Sequence, residues 1–203
     1  MKEIWNERYR QSEYAYGVLP NEYLKARLAS LPPGKILFPA EGEGRNAVYA
    51  ATLGWKCSCF DQSEEGRKKA LSLASLKGVE IHYETGDCGD MHYPDGYFDA
   101  IALIYAHFPA ADKADHHRRI NGWLKKGGTL IFEAFSKKHL NYNRLNEKVG
   151  GPRDVDMLFS IEEIRNQFPG YEQLELAETE VELNEGLYHI GTGSVIRFFG
   201  KKI

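Results

Sequence analysis

A short loop between an apolar segment and a helical pattern combines two glycines with two acidic residues. It lies in the segment KILFPAEGEGRN, residues 35–46, where Gly42 and Gly44 are spaced so that a ligand can approach the backbone closely. Glu41 and Glu43 alternate with these glycines. Carboxylates at this place repel a phosphate and attract a cation, so the loop favours a positively charged ligand.

Asp61, which follows the apolar segment CSCF, is a second residue with a direct chemical interpretation. An acid at this position can accept hydrogen bonds from both hydroxyls of a ribose, which NAD(P) and S-adenosylmethionine both carry. A dinucleotide needs the spacing G-x-G-x-x-G; here the third glycine is missing, and Ala40 stands where glycine is usual. The ammonium and sulfonium of S-adenosylmethionine suit the acids, so the loop favours this cofactor.

Five strand-like segments alternate with amphipathic helical segments in the first two thirds of the chain. The predicted strands span residues 35–38, 56–61, 80–85, 98–105 and 129–135, and the predicted helices lie near 45–53, 63–77 and 110–125. This alternation predicts a parallel sheet with crossover helices on both faces. Gly54, Gly127 and Gly128 are predicted to end the helices before the second and fifth strands.

The last third of the chain follows a different pattern. Residues 136–156 are polar and predict an irregular connection, and SIEEIRNQF predicts a short helix that begins with a capping box. Alternating segments at 174–183 and 194–202 predict antiparallel strands joined by a loop over 184–193, with the glutamates of the first strand on a solvated face. We therefore predict an α/β fold with a doubly wound, mostly parallel, seven-stranded, Rossmann-like sheet and an antiparallel C-terminal hairpin.

The length of 203 residues is typical of a single domain. Within 1–203 we distinguish an N-terminal helical lid region (1–30), a cofactor-binding core (35–135) and a substrate-side part (136–203). The net charge of −3, from 26 Lys and Arg against 29 Asp and Glu, argues against a nucleic-acid partner. No segment has the roughly 20 apolar residues of a membrane span, so we expect no membrane association and a cytoplasmic location.

The cysteines and histidines form no metal-site pattern. Three cysteines are too few for a disulfide framework or a zinc site, and Cys57 and Cys59 share one strand face, which predicts core packing. In the segment DHHRR, residues 115–119, the adjacent histidines diverge by about 100° on a helix. We predict a solvated helix face there, and chemistry that uses no metal.

The order and spacing of these motifs resemble those of class I S-adenosylmethionine-dependent methyltransferases between residues 35 and 135. The segments that carry the resemblance are ILFPAEGEGRNAVYAATLGW, FDQSEEG, TGDCGDMHYPDGYFDAI, IYAHFP and LKKGGTLIFEAF. The opening WNERYRQSEYAYGVLPNEYL and the closing LNEGLYHIGTGSVIRFFG resemble the subset that contains tellurite-resistance and thiopurine S-methyltransferase-like proteins. Nearly the whole chain is covered by the resemblance.

The resemblance implies roles for the loop residues. Gly42 and Gly44 approach the methionine part of the cofactor, and Asp61 meets its ribose. Asp87, with the backbone of Cys88, meets the adenine edge. The predicted cofactor-binding residues are Glu41, Gly42, Gly44, Arg45, Asn46, Asp61, Gln62, Asp87, Cys88 and Tyr105.

Glu41 marks a departure from the family pattern. The family usually carries an acid at the position of Phe38; that acid is absent here, and Pro39 and Ala40 follow. Our hypothesis is that Glu41 replaces it as the partner of the cofactor's ammonium. The alternative is that Glu41 points to solvent and that backbone carbonyls alone hold the ammonium.

Four residues are candidates for a role in catalysis. Methyl transfer is an in-line displacement in which alignment and exclusion of water matter more than a strong base. His107 is a candidate base or an aromatic wall, and Glu133 either orients a polar acceptor or pairs with Arg197. Tyr188 and His189 lie in the predicted hairpin loop, either over the pocket or on the surface. The candidate catalytic residues are His107, Tyr188, His189 and Glu133.

An aromatic cluster precedes the first strand, and by resemblance it forms a lid across the cofactor. Trp5 and Tyr9 lie at i, i+4 on one helical face, which predicts packing against the core. Tyr14 and Tyr16, beside Gly17, are predicted to form the lid.

These observations predict methyl transfer from S-adenosylmethionine to a small-molecule acceptor, with S-adenosylhomocysteine as the product. The resemblance favours a soft S, Se or Te acceptor, which as an anion needs no deprotonation, whereas a hydroxyl or amine needs a base. Two alternatives remain, a non-catalytic S-adenosylmethionine-binding protein and an NAD(P)-dependent oxidoreductase. The sequence predicts neither the acceptor's identity nor the oligomeric state.

Overall fold

Residues 2–203 of the computed structural model form a seven-stranded sheet with helices packed on both faces. The strands are β1 (Lys35–Pro39), β2 (Lys56–Asp61), β3 (His82–Thr85), β4 (Phe98–Ile104), β5 (Leu124–Phe135), β6 (Tyr171–Glu185) and β7 (His189–Lys202). Their order across the sheet is β3-β2-β1-β4-β5-β7-β6. Strands β1 to β5 are parallel, and β7 is antiparallel to both β5 and β6. The predicted doubly wound α/β fold with a C-terminal hairpin is confirmed.

The helices are α1 (Lys2–Tyr9), α2 (Glu22–Leu28), α3 (Arg45–Thr52), α4 (Glu64–Leu76), α5 (Lys113–Trp123), α6 (Leu140–Asn143) and α7 (Ile161–Gln167). Helices α3, α4 and α5 follow β1, β2 and β4 and match the three predicted crossovers. The chain proceeds outward from β1 to β3 and then returns to β4 beside β1, which opens a crevice at the carboxyl ends of these strands. Met1, the first residue of the predicted lid region, lies outside the described residues.

Alternate residues along the central strands supply two separate core clusters. In β1, Leu37 packs in one cluster while Ile36 and Phe38 pack in the other, because successive side chains leave a strand on opposite faces. Cys57 and Cys59 are both buried in the second cluster and neither forms a disulfide. Their predicted role in core packing is confirmed.

Strand β5 begins earlier than the sequence pattern predicts. Helix α5 ends at Trp123, so Gly127 and Gly128 lie inside the strand and do not end a helix. The pairing of β5 with β4 shifts register between Phe98 and Ala100, and this bulge accommodates the extra residues. A Cβ atom at Gly128 would lie 2.7 Å from Leu124 Cδ1, so glycine is required there by packing.

The terminal hairpin has a shorter turn than predicted. β6 continues to Glu185 and β7 starts at His189, so the predicted loop over 184–193 reduces to residues 186–188.

Part of the β6 glutamate face is covered, because Glu175 accepts a hydrogen bond from Tyr23 Oη at 2.9 Å and pairs with Arg27. The prediction of a fully solvated face was wrong for that residue.

The connection between β5 and β6 contains local structure. Short 3₁₀ turns occur at Lys137–His139, Glu147–Val149 and Val155–Met157. Helix α7 then begins with the predicted capping box, in which Ser160 Oγ accepts from the Glu163 N–H and Glu163 Oε2 accepts from the Ser160 N–H, both at 3.2 Å. This capping box is confirmed.

The helical segment 115–119 is not a uniformly solvated face. His117 is fully buried and its Nδ1–H donates to Gln167 Oε1 at 2.5 Å, while His116 Nε2 lies 3.1 Å from Asp87 Oδ1. Asp115 and Arg118 are exposed, as predicted. The two histidines face inward because α5 packs against β5 and α7.

Neither a metal cluster nor a candidate membrane-spanning helix occurs among residues 2–203. No group of three or more His, Cys, Asp or Glu side chains in this range is arranged to hold a metal ion. Within the same residues no helix is long and apolar enough to cross a membrane.

Candidate active site

A cavity of about 380 Å³ opens at the carboxyl ends of β1 to β4. We call it the first cavity. Residues after all four strands line it, including Glu41 after β1, Asp61 at the end of β2, Asp87 after β3 and Tyr105 after β4. Its volume lies within the range of roughly 300–1,000 Å³ that is usual for small-molecule sites.

Glu41 is half-buried at the wall of this cavity. Its Oε1 accepts hydrogen bonds from the N–H groups of Asn46 and Ala47, at 2.9 and 2.8 Å, and so satisfies the first turn of α3. Its Oε2 makes no hydrogen bond of 3.5 Å or less within residues 2–203, although the side chain of Asn46 also interacts with this carboxylate. Burial raises the pKa of Glu41 to about 7. One oxygen therefore serves the helix, while the other is available to a ligand.

Asp61 ties two strand-end loops together. Its Oδ2 accepts from the Gly42 N–H at 3.1 Å and its Oδ1 from the Ser63 N–H at 2.8 Å. Burial raises the pKa of Asp61 to about 6, against the opposing effect of these N–H groups. Each carboxylate oxygen can accept a further hydrogen bond, which is what two ribose hydroxyls need.

Asp87 occupies the third strand end and is held from three sides. Its Oδ2 accepts from Gln62 Nε2 at 2.5 Å, and its Oδ1 accepts from the Gly89 N–H at 3.2 Å and contacts His116 Nε2. Cys88 also lines the cavity, and burial raises the pKa of its thiol to about 12, so the thiol is protonated at neutral pH. The sequence analysis did not identify His116 as a site residue, because no local pattern indicates its contact with Asp87, 29 positions earlier.

The loop glycines have close protein neighbours. A Cβ atom at Gly42 would lie 2.6 Å from Tyr9 Oη, and one at Gly44 would lie 2.5 Å from Ala70 Cβ. Both glycines have positive φ, +63° and +85°. Their predicted approach to the methionine part of a cofactor stays a prediction, while their need for glycine follows from packing against α1 and α4. Ala40 also has positive φ, +53°, an uncommon conformation for a non-glycine residue.

Both ring nitrogens of His107 are engaged by the backbone. Nδ1–H donates to the Met157 carbonyl at 3.0 Å, and Nε2 accepts from the Phe135 N–H at 3.3 Å. Burial lowers the pKa of His107 to about 3, and its ring stacks on Phe135 with centroids 5.7 Å apart. This arrangement is that of an aromatic wall of the cavity and contradicts a role as general base.

Glu133 is buried away from the cavity. Its Oε2 accepts from Arg197 Nε at 2.6 Å and its Oε1 from Asn21 Nδ2 at 2.7 Å. The predicted role in orienting an acceptor is contradicted, and the alternative pairing with Arg197 is observed. The physical reason is register: Glu133 lies directly opposite Arg197 in the β5–β7 ladder.

His189 lines the cavity from the start of β7. Its Nδ1 lies 2.9 Å from Glu185 Oε2, and Glu185 in turn accepts from Arg45 Nη2 at 2.9 Å. Burial lowers the pKa of His189, and its Nε2 makes no hydrogen bond with residues 2–203. Burial opposes the ionisation of Glu185, but the hydrogen bond from His189 and the charge of Arg45 outweigh it and hold that pKa at about 2. Glu185 was not predicted.

The other predicted residues line two different cavities. Arg45 and Asn46 line the first cavity, and Asn46 Oδ1 accepts from the Asn21 N–H at 2.9 Å. Tyr188 instead lines a second cavity of about 390 Å³, which also contains Asn143, Lys148 and other residues of the connection before β6. Tyr188 and His189, adjacent in sequence, therefore serve different cavities.

The lid aromatics are distributed differently from the prediction. Trp5 and Tyr9 stack with centroids 5.5 Å apart, yet both also line the first cavity, as does Tyr16. Tyr14 instead donates its hydroxyl to the Lys69 carbonyl at 3.2 Å and packs on a small cluster beside α4. Because α1 packs on α4 close to the strand ends, its packing face is also its cavity face.

Comparison with known proteins agrees with this geometry. Residues 39–132 match the family described as a methyltransferase domain. A segment of 78 residues is 33% identical to ajmaline N-methyltransferase from Rauvolfia serpentina, covering 37% of this chain. The match spans only 27% of the length of that curated relative.

Solved structures resemble the whole chain. TehB from Haemophilus influenzae superposes with a TM-score of 0.71 at 15% identity, over 100% of this chain and 67% of that one. A SAM-dependent methyltransferase from Anabaena variabilis gives 0.68 at 16% identity, over 100% and 93%. A structure concerned with conversion of a disulfide bond into a thioacetal group during echinomycin biosynthesis gives 0.76 at 16% identity, over 100% and 92%.

The residues around the first cavity fit the cofactor that this fold implies. Three carboxylates, those of Glu41, Asp61 and Asp87, converge there from three strand ends, and Glu41 Oε2 accepts no hydrogen bond of 3.5 Å or less from residues 2–203. Such a set suits a ligand with a cationic amino acid part and a ribose. Residues 39–132 thus match a methyltransferase domain, and the chain as a whole has the Rossmann-like fold seen in solved SAM-dependent methyltransferase structures.

Proposed function

We propose that this protein transfers a methyl group from S-adenosylmethionine to a small-molecule acceptor and releases S-adenosylhomocysteine. The observation that carries the proposal is the convergence of Glu41, Asp61 and Asp87 on one cavity of about 380 Å³ at the carboxyl edge of the parallel strands. A small-molecule partner, rather than nucleic acid or membrane, and a cytoplasmic location are part of the same proposal.

Each acid has a distinct proposed role in holding the cofactor. Glu41 Oε2 accepts from the ammonium, and the positive charge favours the ionised form of a carboxyl whose pKa burial has raised to about 7. Asp61 accepts from the ribose hydroxyls. Asp87 and the backbone of Cys88 meet the adenine edge, with Gln62 and His116 fixing the Asp87 carboxylate.

The bound cofactor supplies an electrophilic methyl group on a sulfonium. The chain's own contribution is to align the acceptor and to exclude water, for which Trp5, Tyr16 and His107 provide aromatic walls. His189 is the candidate proton acceptor, because its ring lines the cavity and its Nδ1–H donates to Glu185, which leaves Nε2 unprotonated. Glu185 positions that ring and is itself anchored by Arg45.

The acceptor is proposed to be a soft S, Se or Te nucleophile, as in the tellurite-resistance and thiopurine S-methyltransferase-like subset. Burial lowers the pKa of His189, so it is a weak base. A weak base suffices for a thiol or selenol, whose protons are acidic, and is not needed for an acceptor that is already an anion. An unactivated hydroxyl would need a stronger base.

The proposal is tested by parallel calorimetric titrations of the protein with S-adenosylmethionine, S-adenosylhomocysteine and NAD. Binding of the first two without NAD supports it, and turnover is then measured as S-adenosylhomocysteine formed with thiols, selenite, tellurite and a primary amine. Binding without turnover on any acceptor would favour a non-catalytic S-adenosylmethionine-binding protein. Binding of NAD alone would overturn the interpretation of the acidic loop.

A further inference from the structure

Arg8 is held in a defined position at the mouth of the first cavity. Its guanidinium carbon lies 4.9 Å from the ring centroid of Trp5 and 4.6 Å from that of Tyr188, so the planar group contacts two aromatic rings. Its Nη1 donates to Tyr16 Oη at 2.8 Å. These contacts fix the orientation of the guanidinium without neutralising its charge.

Arg8 has no acidic partner among residues 2–203, since no carboxylate in that range lies within 4.0 Å of its nitrogens. The other two arginines that line the first cavity both have acidic partners, because Arg153 pairs with Glu147 at 2.5 Å and Arg45 with Glu185 at 2.9 Å. A half-buried guanidinium that is oriented by protein groups and lacks a counter-ion is suited to recognise an oxyanion, for which its fork of donors is adapted.

Arg8 lies where the two cavities meet. It lines both of them, together with Gly151 and Arg153. The two cavities differ in charge. The first is lined by four carboxylates, those of Glu41, Asp61, Asp87 and Asp154, against Arg8, Arg45 and Arg153, whereas the second is lined by Arg8, Lys148 and Arg153 against the single carboxylate of Glu147. The second cavity therefore has the excess of positive charge and is the better suited to an anion.

We propose that Arg8 binds the carboxylate of an organic acceptor. The acceptor directs its nucleophilic atom into the first cavity, and its body occupies the second. The second cavity, about 390 Å³, is large enough for an organic body, which a compact inorganic ion does not need. The inference rests on the proposed function and adds to it a substrate class, a carboxylate-bearing soft nucleophile, and a specificity-determining residue.

The experiment compares two probes that differ only in charge, 3-mercaptopropionate and 3-mercaptopropionamide. Each is titrated by calorimetry into protein saturated with S-adenosylhomocysteine and into protein without it. The variants are Arg8→Gln, Arg8→Lys and, as a matched control, Arg10→Gln, which alters an exposed arginine outside both cavities. Thermal melting of each variant checks that it is folded.

We expect the wild type to bind the carboxylate roughly ten- to a hundredfold more tightly than the amide, as a charge-assisted hydrogen bond to a guanidinium implies. Arg8→Gln should abolish this preference, Arg8→Lys should retain a reduced one, and Arg10→Gln should leave it unchanged. The affinity for S-adenosylhomocysteine should be the same in all four proteins.

Equal affinities of the wild type for the two probes would overturn the inference. An Arg8→Gln variant that keeps the preference for the carboxylate would also overturn it. So would an Arg8→Gln variant whose affinity for S-adenosylhomocysteine falls instead, because that result would assign Arg8 to the lid. If neither thiol binds but selenite binds in an Arg8-dependent manner, the ligand of Arg8 is an inorganic oxyanion and not an organic carboxylate. Failure of S-adenosylhomocysteine to bind the wild type would refute the proposed function separately, because the cofactor-free titration still reports on Arg8.

Discussion

The acids of the first cavity already make hydrogen bonds to the protein, and these bonds hold them in position for a ligand. Glu41 uses one oxygen to satisfy the first turn of α3, and Asp61 uses both oxygens to join the loops after β1 and β2. Side chains held in this way lose little further freedom when a ligand binds. The same reasoning leads to two predictions for Glu41.

Replacement of Glu41 by glutamine should weaken binding of S-adenosylmethionine by roughly ten- to a hundredfold. The amide oxygen can still accept from the N–H groups of α3, so the change mainly removes the charge that we propose faces the ammonium. Calorimetry measures the effect. The matched control is Glu43→Gln, which alters a carboxylate in the same loop that pairs with Lys69. An unchanged dissociation constant for Glu41→Gln would leave backbone carbonyls as the partners of the ammonium.

Cofactor affinity should also depend on pH. Because burial raises the pKa of Glu41 from 4.5 to about 7, the protein alone loses stability at this residue as pH rises from about 4.5 through about 7. A cation beside Glu41 favours the ionised form, so binding becomes weaker as pH falls below about 7. Between pH 8 and pH 6 we expect the affinity for S-adenosylhomocysteine to fall roughly tenfold. A Glu41→Gln variant should lack this dependence; if both proteins respond alike, another group is responsible.

At the scale of the elements, two helices fit against the β1 loop only because two of its residues are glycine. Tyr9 of α1 lies over Gly42, and Ala70 of α4 lies over Gly44. Helix α4 also starts with a side-chain cap, in which Ser63 Oγ accepts from the Gly66 N–H at 3.1 Å. The first cavity therefore depends on how closely α1 and α4 approach the end of β1.

The substitution Gly44→Ala should destabilise the fold by about 1–3 kcal/mol, because overpacking and a positive φ act together. Urea denaturation gives the change in the free energy of unfolding. The double variant Gly44→Ala with Ala70→Gly removes the 2.5 Å contact but keeps a 2.8 Å approach to the Cα atom of residue 70 and the φ of +85°, so it should recover part of the loss. Absence of any recovery would mean that the close approach to the α4 backbone and the positive φ account for the cost.

At the scale of the whole molecule, a buried polar network joins distant parts of the chain. Asn21 before α2 donates to Glu133 of β5, 112 residues away, and Glu133 accepts from Arg197 of β7. Asn21 Nδ2 also reaches Glu185 at 3.2 Å, and Glu185 binds Arg45 of α3. The network thus fixes the lid region and the terminal hairpin against the sheet beside the first cavity.

Removal of Glu133 should therefore reduce stability without acting directly on the chemistry. Glu133→Ala leaves Arg197 without its carboxylate partner, and we expect a loss of about 2–4 kcal/mol in the free energy of unfolding. The control Glu178→Ala removes a pair with the largely exposed Lys138, and its cost should stay below about 1 kcal/mol. If Glu133→Ala is as stable as the control, the network contributes orientation rather than stability.

The sequence by itself determined the features that depend on neighbours along the chain. Strand β2 has the predicted bounds, and the capping box of Ser160 and Glu163 forms as predicted. The acids at the ends of β1, β2 and β3 reach one cavity because parallel strands end at one edge of the sheet. These signals are local, so alternation, capping residues and strand order are enough to find them.

Only the tertiary structure decided which side chains meet across the fold. His107 has the residue type and position of a base, yet both of its ring nitrogens form hydrogen bonds with the backbone of Phe135 and Met157. Glu133 forms hydrogen bonds with Arg197 and Asn21. Arg8, Glu185 and His116 acquire their contacts through the packing of α1, β6 and α5 over the strand ends. No local pattern carries that information, because partners far apart along the chain are set by how whole elements pack.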